Sequence, residues 1–342
     1  VTTPFNRLVA LDAETGTELW AFDPKINKEH SYTLFIHRGP AYWTDGKRER
    51  LVYGTIDGRL FSIDAATGKP DPNFGEAGVV NLRKDAADKF PGRAYGMTSP
   101  PAIFENLAIC GAWTSDGEPK APSGDIRAFD VLTGKLVWRF HVVPRPGEFG
   151  HDTWEGDSWQ DRGGVNAWSN LSVDRERGLV FLPLTSPSAD YYGGDRPGKN
   201  LFGDSLVALK ARTGERVWHF QTMHHNIWDY DLPAQPNLIE VPRNGKRVPA
   251  VAQVTKTGFT FVFNRETGEP LFPIEERKVP ASTVPGEKAW PTQPFPVLPK
   301  PFARQSMKPG ELADVDPAHR AFCEELVKGA VFGDLYTPIG LK

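Results

Sequence analysis

The chain has only two cysteines, Cys110 and Cys323, in 342 residues. They lie far apart and show no metal-ligand spacing, so neither a disulfide framework nor a zinc site organises the fold. Two buried thiols are expected. A charge of one sign is also lacking: 40 Lys and Arg against 43 Asp and Glu leave a formal charge of −3. Without a basic footprint, nucleic acid is a poor partner. There is no run of about 18 apolar residues, so no membrane span is expected. No signal peptide is visible, and the chain opens on Val1. Helix-like stretches of Ala, Leu, Glu and Lys are scarce. No Gly-rich phosphate loop, nucleophile elbow or His-Glu-x-x-His pair is present. Dinucleotide cofactors and zinc proteolysis therefore lack support.

Glycine (33), proline (31), phenylalanine (21) and tryptophan (10) are plentiful instead. The tryptophans mark a repeat. Ala10-Leu11-Asp12-Ala13-Glu14-Thr15-Gly16-Thr17-Glu18-Leu19-Trp20 recurs from Ala128 to Trp138 and from Ala208 to Trp218. Weaker copies run from Ile63 to Pro70 and from Phe263 to Phe272. Each copy reads as a hairpin. A strand ends at the Asp (Lys210 in the third copy), Thr-Gly makes the turn, and a second strand carries the Trp. One hairpin cannot bury its apolar face alone, so several pack together with Trp between neighbours. Repetition of this kind predicts an all-β fold, a β-propeller. The wide spacing of the turn glycines predicts long inserted loops, where function usually sits.

Strands are expected at 7–12, 50–55, 59–64, 107–112, 126–130, 179–183, 205–210, 250–254 and 260–264. Residues 144–164 and 187–203 read as long loops. Residues 279–309 hold eight prolines, too many for a sheet or helix interior, and are expected to form an extended arm around the outside. Asp316-Pro317 reads as a helix N-cap with Pro at N1, opening a short helix that runs to about Lys328. No linker divides the chain, so 1–342 is expected to be a single partial propeller domain. Val1 runs straight into a repeat, and 336–342 lack a domain-like ending; a fragment missing blades at both ends is expected.

His224-His225-Asn226-Ile227-Trp228-Asp229-Tyr230-Asp231-Leu232-Pro233 is the densest polar and aromatic cluster. It fits an acid/base or metal site, and equally a loop whose Asp residues cap turns. Lys256, inside an apolar strand pair, needs a partner if buried; an exposed strand position is the alternative. Trp168 in Asn166-Ala167-Trp168-Ser169 suits a core or a cofactor platform. Asp116 and Glu118 suit a divalent cation shared with Asp229, or exposed turns. Arg38 is a surface turn residue or a grip on a planar carboxylate.

Taken together these segments resemble the quinoprotein dehydrogenases, which use pyrroloquinoline quinone (PQQ), and within them the membrane glucose dehydrogenase type. The resemblance rests on the repeated tryptophan phrase, Thr98-Ser99-Pro100-Pro101, Asn166-Ala167-Trp168, Tyr192-Gly193-Gly194, the stretch from His224 to Pro236, Lys256-Thr257-Gly258, and Pro291-Thr292-Gln293-Pro294-Phe295. It implies an eight-bladed propeller, of which this chain supplies roughly five blades. It implies that Asp229 is a metal ligand and general base, and that Lys256 hydrogen-bonds the quinone oxygens. It implies that PQQ stacks on Trp168, that Arg38 holds one of its carboxylates, and that the Thr98 hydroxyl touches it. Asp116 and Ser188 fall where the subgroup places ligands for Ca²⁺ or Mg²⁺.

Three departures accompany the match. Ser115-Asp116 replaces an Asp-Asn metal pair. Leu34 stands where glucose-oxidising members carry a His near the substrate. The vicinal disulfide of methanol-oxidising relatives is absent. The implied activity is oxidation of an alcohol or aldose sugar by hydride transfer to the quinone. A quinone such as ubiquinone, or cytochrome c, would be the acceptor, in the periplasm. Two alternatives compete: a non-catalytic propeller serving as scaffold, in which Asp229 and Lys256 need not converge, and a carbohydrate hydrolase, for which Asp229 and Asp231 are too local.

Overall fold

The computed structural model describes residues 1–30, 32, 35–243 and 245–341; Leu34 lies outside them. Among the described residues the fold is all-β apart from one α-helix and two 3₁₀ turns. A hairpin of Leu8–Leu11 and Glu18–Phe22 comes first. Three four-stranded antiparallel sheets follow. Ala41–Thr44, Glu49–Gly54, Arg59–Asp64 and Val80–Asn81 form one. Ala102–Phe104, Leu107–Cys110, Ile126–Asp130 and Leu136–Phe140 form the next. Ser172–Asp174, Leu179–Pro183, Ser205–Lys210 and Arg216–Gln221 form the third. A three-stranded sheet of Asn237–Arg243, Lys246–Val254 and Thr260–Asn264 comes after them, then a hairpin of Ile274–Lys278 and Thr292–Pro296. Sequential up-and-down sheets with cores between them are the blades of a propeller. One core lies between the second and third four-stranded sheets, with Ile109, Trp138, Val180 and Val207. Another joins the last of those to the three-stranded sheet through Phe181, Trp218, Phe261 and Phe263.

The turn chemistry explains the repeated phrase. In the first copy Asp12 Oδ1 accepts from both the Thr15 amide and its hydroxyl, each at 2.8 Å. Asp130 does the same for Thr133. The glycine then takes positive φ, 70° at Gly134 and 73° at Gly214. In the third copy Lys210 replaces the Asp and pairs with Glu215 at 2.7 Å across the turn.

Each tryptophan reaches the next blade. Trp20 Nε1 donates to Ala65 O (3.1 Å), Trp138 Nε1 to Ala211 O (3.1 Å) and Trp218 Nε1 to Arg265 O (2.8 Å). The indoles lie flat on the Thr-Gly turns. A Cβ at Gly214 would sit 2.5 Å from Trp138, and one at Gly268 2.6 Å from Trp218. The weaker copy at Ile63–Pro70 has no Trp, yet its blade is joined to the next by Trp43 Nε1, which donates to Glu105 O at 2.9 Å. One indole therefore links every neighbouring pair from the first hairpin to the three-stranded sheet.

Several expectations change. In the two weaker copies the second strand is reduced to single bridges at Pro70 and Pro270, because proline has no N–H to extend a ladder. The proline-rich stretch is not simply an outer arm. Thr292–Pro296 is a strand paired with Ile274–Lys278. Pro294 and Pro296 alternate along this edge strand, so both ring nitrogens point away from the partner, where no ladder bond is needed. Cys110 is buried and Cys323 only partly so, and both thiols are free. Helix Pro317–Leu326 starts where expected, with Asp316 accepting from the His319 amide at 2.8 Å.

Trp138→Ala is expected to cost about 3–5 kcal/mol of unfolding free energy. Trp138→Phe keeps much of the packing but strands Ala211 O, and is expected to cost about 1–3 kcal/mol. Urea denaturation of both variants checks the ranking; a Trp138→Phe variant as stable as wild type would mean the indole N–H contributes nothing.

Candidate active site

Residues from loops between successive blades and from one turn within a blade meet at one place. Lys256 lies on the Thr255–Gly258 turn joining two strands of the three-stranded sheet, not within a strand, and its side chain is 34% exposed. Its ammonium lies 3.1 Å from Asp229 Oδ1 and 2.5 Å from Asp231 Oδ1. Asp231 is buried, and its Oδ2 accepts from Trp168 Nε1 at 3.0 Å. The Arg38 guanidinium sits 5.2 Å from the centre of the Trp168 ring. Arg38 Nη1 also donates to Thr98 O and Ser99 Oγ, both at 3.2 Å. The structure thus connects Arg38, Trp168, Asp231, Lys256 and Asp229 in one chain of contacts.

The remaining expected residues stand differently. The Thr98 hydroxyl is engaged by Trp168 O at 3.1 Å, and Ser99 Oγ by the same oxygen at 2.7 Å. Both fix the tryptophan's backbone. A Cβ at Gly111 would fall 2.1 Å from Ala167 O, so only glycine admits the Trp168 segment this close. The Ser188 hydroxyl is buried and donates to Pro119 O at 3.3 Å. Asp116 lies at the rim, where desolvation and then Asp229 hold its carboxyl above the usual range. Among the described residues, no three His, Cys, Asp or Glu side chains stand in metal-holding geometry.

Sequence reasoning missed Asp190, which faces Asp116, Asp229, Asp231 and Lys256. Desolvation first, then those carboxylates, push it up to about 7. Asp231 is also raised, by burial above all, against the pull of Lys256. Lys256 is raised: burial works against its charge, but Asp231 and Asp229 outweigh it. Four carboxylates around one ammonium leave uncompensated negative charge.

The loops are held from behind. Gln293, fully buried, grips His224 with two hydrogen bonds: Oε1 accepts from the His224 amide (2.8 Å) and Nε2 donates to His224 O (2.7 Å). Glu287 Oε1 accepts from Gly193 N at 2.9 Å, anchoring the Tyr-Gly-Gly loop. The proline-rich stretch therefore clamps both site loops. The only sequence hint was its Pro-Thr-Gln-Pro-Phe segment.

The family described as PQQ: Glucose/ethanol/alcohol dehydrogenase, beta-propeller domain, matches residues 1–342. The chain belongs to this family. It is 35% identical over 97% of its length to the glycerol dehydrogenase large subunit of Gluconobacter thailandicus, covering 46% of that protein. It is 36% identical over 86% of its length to the quinoprotein glucose dehydrogenase of Escherichia coli (strain K12), covering 38% of it. Its fold is similar to that of quinohemoprotein alcohol dehydrogenase ADHIIG from Pseudomonas putida HK5. There the TM-score is 0.69 at 30% identity, covering 82% of this chain and 41% of that one. The chain spans about half the length, or less, of the curated relatives it matches. The scaffold alternative is not favoured. The relatives named above are dehydrogenases by name, and Lys256 Nζ lies 3.1 Å from Asp229 Oδ1.

The donor set fits the group the family implies. Trp168 offers a flat face, Arg38 and Lys256 offer cations for a polyanionic quinone, and the surplus carboxylates suit a hard divalent ion.

Behind these loops, burial pushes the fully buried Asp204 carboxyl up to about 8, against the opposing hydrogen bonds from Asn226 and Ser186. A raised folded value means the folded state holds the proton more tightly, so stability falls as pH rises from near 3.8 toward about 8. Asp204→Asn is expected to flatten the dependence of urea midpoint on pH across that window. An unchanged slope would show that Asp204 is ionised throughout.

Proposed function

We propose that this chain is the catalytic propeller of a PQQ-dependent dehydrogenase that oxidises an alcohol or aldose sugar. The contact carrying this reading is Lys256 held between Asp229 and Asp231, with Asp231 tied to the Trp168 indole. Bound PQQ supplies the hydride acceptor, and a Ca²⁺ or Mg²⁺ ion supplies Lewis acidity.

The chain's own residues do the rest. Trp168 presents a planar platform whose orientation is fixed at its indole by Asp231 and at its carbonyl by Thr98 and Ser99. Arg38 and Lys256 place positive charge at the edges of a planar polycarboxylate. Lys256 also stabilises negative charge developing on a carbonyl oxygen. Asp229 is the group to take the substrate hydroxyl proton. It is less buried than Asp231, at 28% against 7% side-chain exposure, so it is the one a substrate reaches. Asp231 keeps the ammonium in place. Asp116 and Asp190 would be drawn toward Asp229 as hard-oxygen ligands of a bound ion; Ser188, whose hydroxyl is engaged by Pro119 O, is the weakest of the expected ligands. A quinone or cytochrome as electron acceptor and a periplasmic location are expectations from the family. Among the described residues, no helix is long and apolar enough to cross a membrane.

Dye-linked turnover of polyols, sugars and simple alcohols by the full-length protein with PQQ and Ca²⁺ tests the reading. Asp229→Asn is expected to lower kcat by about 100-fold or more while PQQ is still bound. Lys256→Ala is expected to weaken both binding and turnover. Turnover on no substrate would overturn the proposal, and equal loss of PQQ binding in Asp229→Asn would make Asp229 chiefly a metal ligand.

A further inference from the structure

Asn226 lies in the same loop as Asp229, but its side chain points into the protein and is fully buried. Its Oδ1 accepts from the Trp228 amide at 2.9 Å and from the Tyr230 amide at 3.4 Å. Those two amides flank Asp229. The bond to Trp228 is an Asx turn, in which a side-chain carbonyl replaces a backbone acceptor two residues earlier. The chain closes on Asn226 with Asp229 at the apex, and Asp229 takes a left-handed φ of 57°. Asp tolerates that region better than most residues, yet it stays strained and persists only where the surroundings over-determine it.

The Asn226 amide is itself fixed. Its Nδ2 donates to Ser186 Oγ at 2.6 Å and to Asp204 Oδ1 at 2.8 Å, both buried. Two acceptors on that side and two N–H donors on the other leave one orientation of the amide. The Asn226 carbonyl accepts from Arg196 Nη2 at 2.5 Å, and Arg196 is fully buried. The same Nη2 lies 3.4 Å from Ala189 O, so one guanidinium ties the loop that carries Asp190 to the loop carrying Asp229.

We propose that Asn226, held by Ser186 and Asp204, is a positioning residue that sets the backbone of Asp229 and so aims its carboxylate at Lys256 and the substrate. This rests on the reading of Asp229 as proton acceptor. A side chain that merely filled the core would not bridge the two amides on either side of that acceptor.

The test uses the full-length protein with PQQ and Ca²⁺. Asn226→Ala removes the acceptor. Its kcat is expected to fall about 100-fold, with substrate KM and PQQ affinity (by fluorescence titration) changed less than about threefold. Its crystal structure is expected to show Asp229 out of the left-handed region and parted from Lys256, with the Lys256–Asp231 pair kept. Asn226→Asp retains the acceptor and guards against a variant that fails to fold. It is expected to recover kcat to within about tenfold of wild type at acid pH, where Asp204 carries a proton to donate, and to lose it as that proton leaves. A kcat for Asn226→Ala within about threefold of wild type, or an Asp229 that has not moved, would overturn the proposal. If the wild-type protein itself turns over no substrate, the reading of Asp229 as base fails separately. The crystal structures then decide: a displaced Asp229 upholds the positioning role, and an unmoved one removes it.

Discussion

One indole handed from each blade to the next is the constraint on which the rest depends. Trp20, Trp43, Trp138 and Trp218 each donate to a carbonyl of the following sheet. The contact is both directional and large in area. A buried indole contributes more apolar surface than any other side chain, and its single N–H fixes where that surface lands. The Thr-Gly turn receives it because glycine has no Cβ to hold the ring off. Bound this way, sheets cannot slide past one another without stranding a buried carbonyl. The loops that connect them are then free to vary while their ends remain fixed.

That fixity is why residues as distant in sequence as Arg38 and Lys256 share one site. Each arrives on a different loop, and each loop is pinned at its base. Thr98 and Ser99 hold the Trp168 carbonyl, Gln293 holds His224, and Glu287 holds Gly193. The charge distribution follows a similar logic. Asp231 is buried with both oxygens engaged, so it serves as an anchor, whereas Asp229 is more exposed, with Lys256 at one oxygen and a long bond from the Tyr191 hydroxyl at the other. Asp190, with its carboxyl near neutrality, marks negative charge that the protein alone does not balance. A divalent ion would balance it.

Much of this was legible in the residues because local chemistry repeats. The Thr-Gly turns, the tryptophan after the three strong copies, and nine of the strands follow from turn and alternation patterns, five with both ends as expected and four with an end shifted. The His224–Pro233 cluster and Lys256 carried the site, and their resemblance to quinoproteins brought in Arg38 and Trp168. What stayed hidden depends on distance in space. Trp43 stands outside the repeat, and nothing local shows that it replaces the tryptophan missing from the weaker copy at Ile63–Pro70. Asp190 looks like one more loop carboxylate until the fold sets it against Asp229. Gln293 sits among prolines that argued against a strand; only pairing with Ile274–Lys278 shows that both prolines turn their ring nitrogens away from the ladder while the glutamine is buried. Thr98 has the residue type of a cofactor contact, but its hydroxyl is engaged by Trp168 O.

The central claim is that Trp168, Arg38 and Lys256 form a quinone cradle beside a carboxylate-rich cation site. The most direct measurement is a titration of the full-length protein with PQQ, with and without Ca²⁺, following tryptophan fluorescence and absorbance of the bound cofactor. The account predicts saturable, calcium-dependent quenching that Trp168→Ala strongly reduces. Absence of binding with calcium present, or binding and quenching indifferent to Trp168, would contradict it.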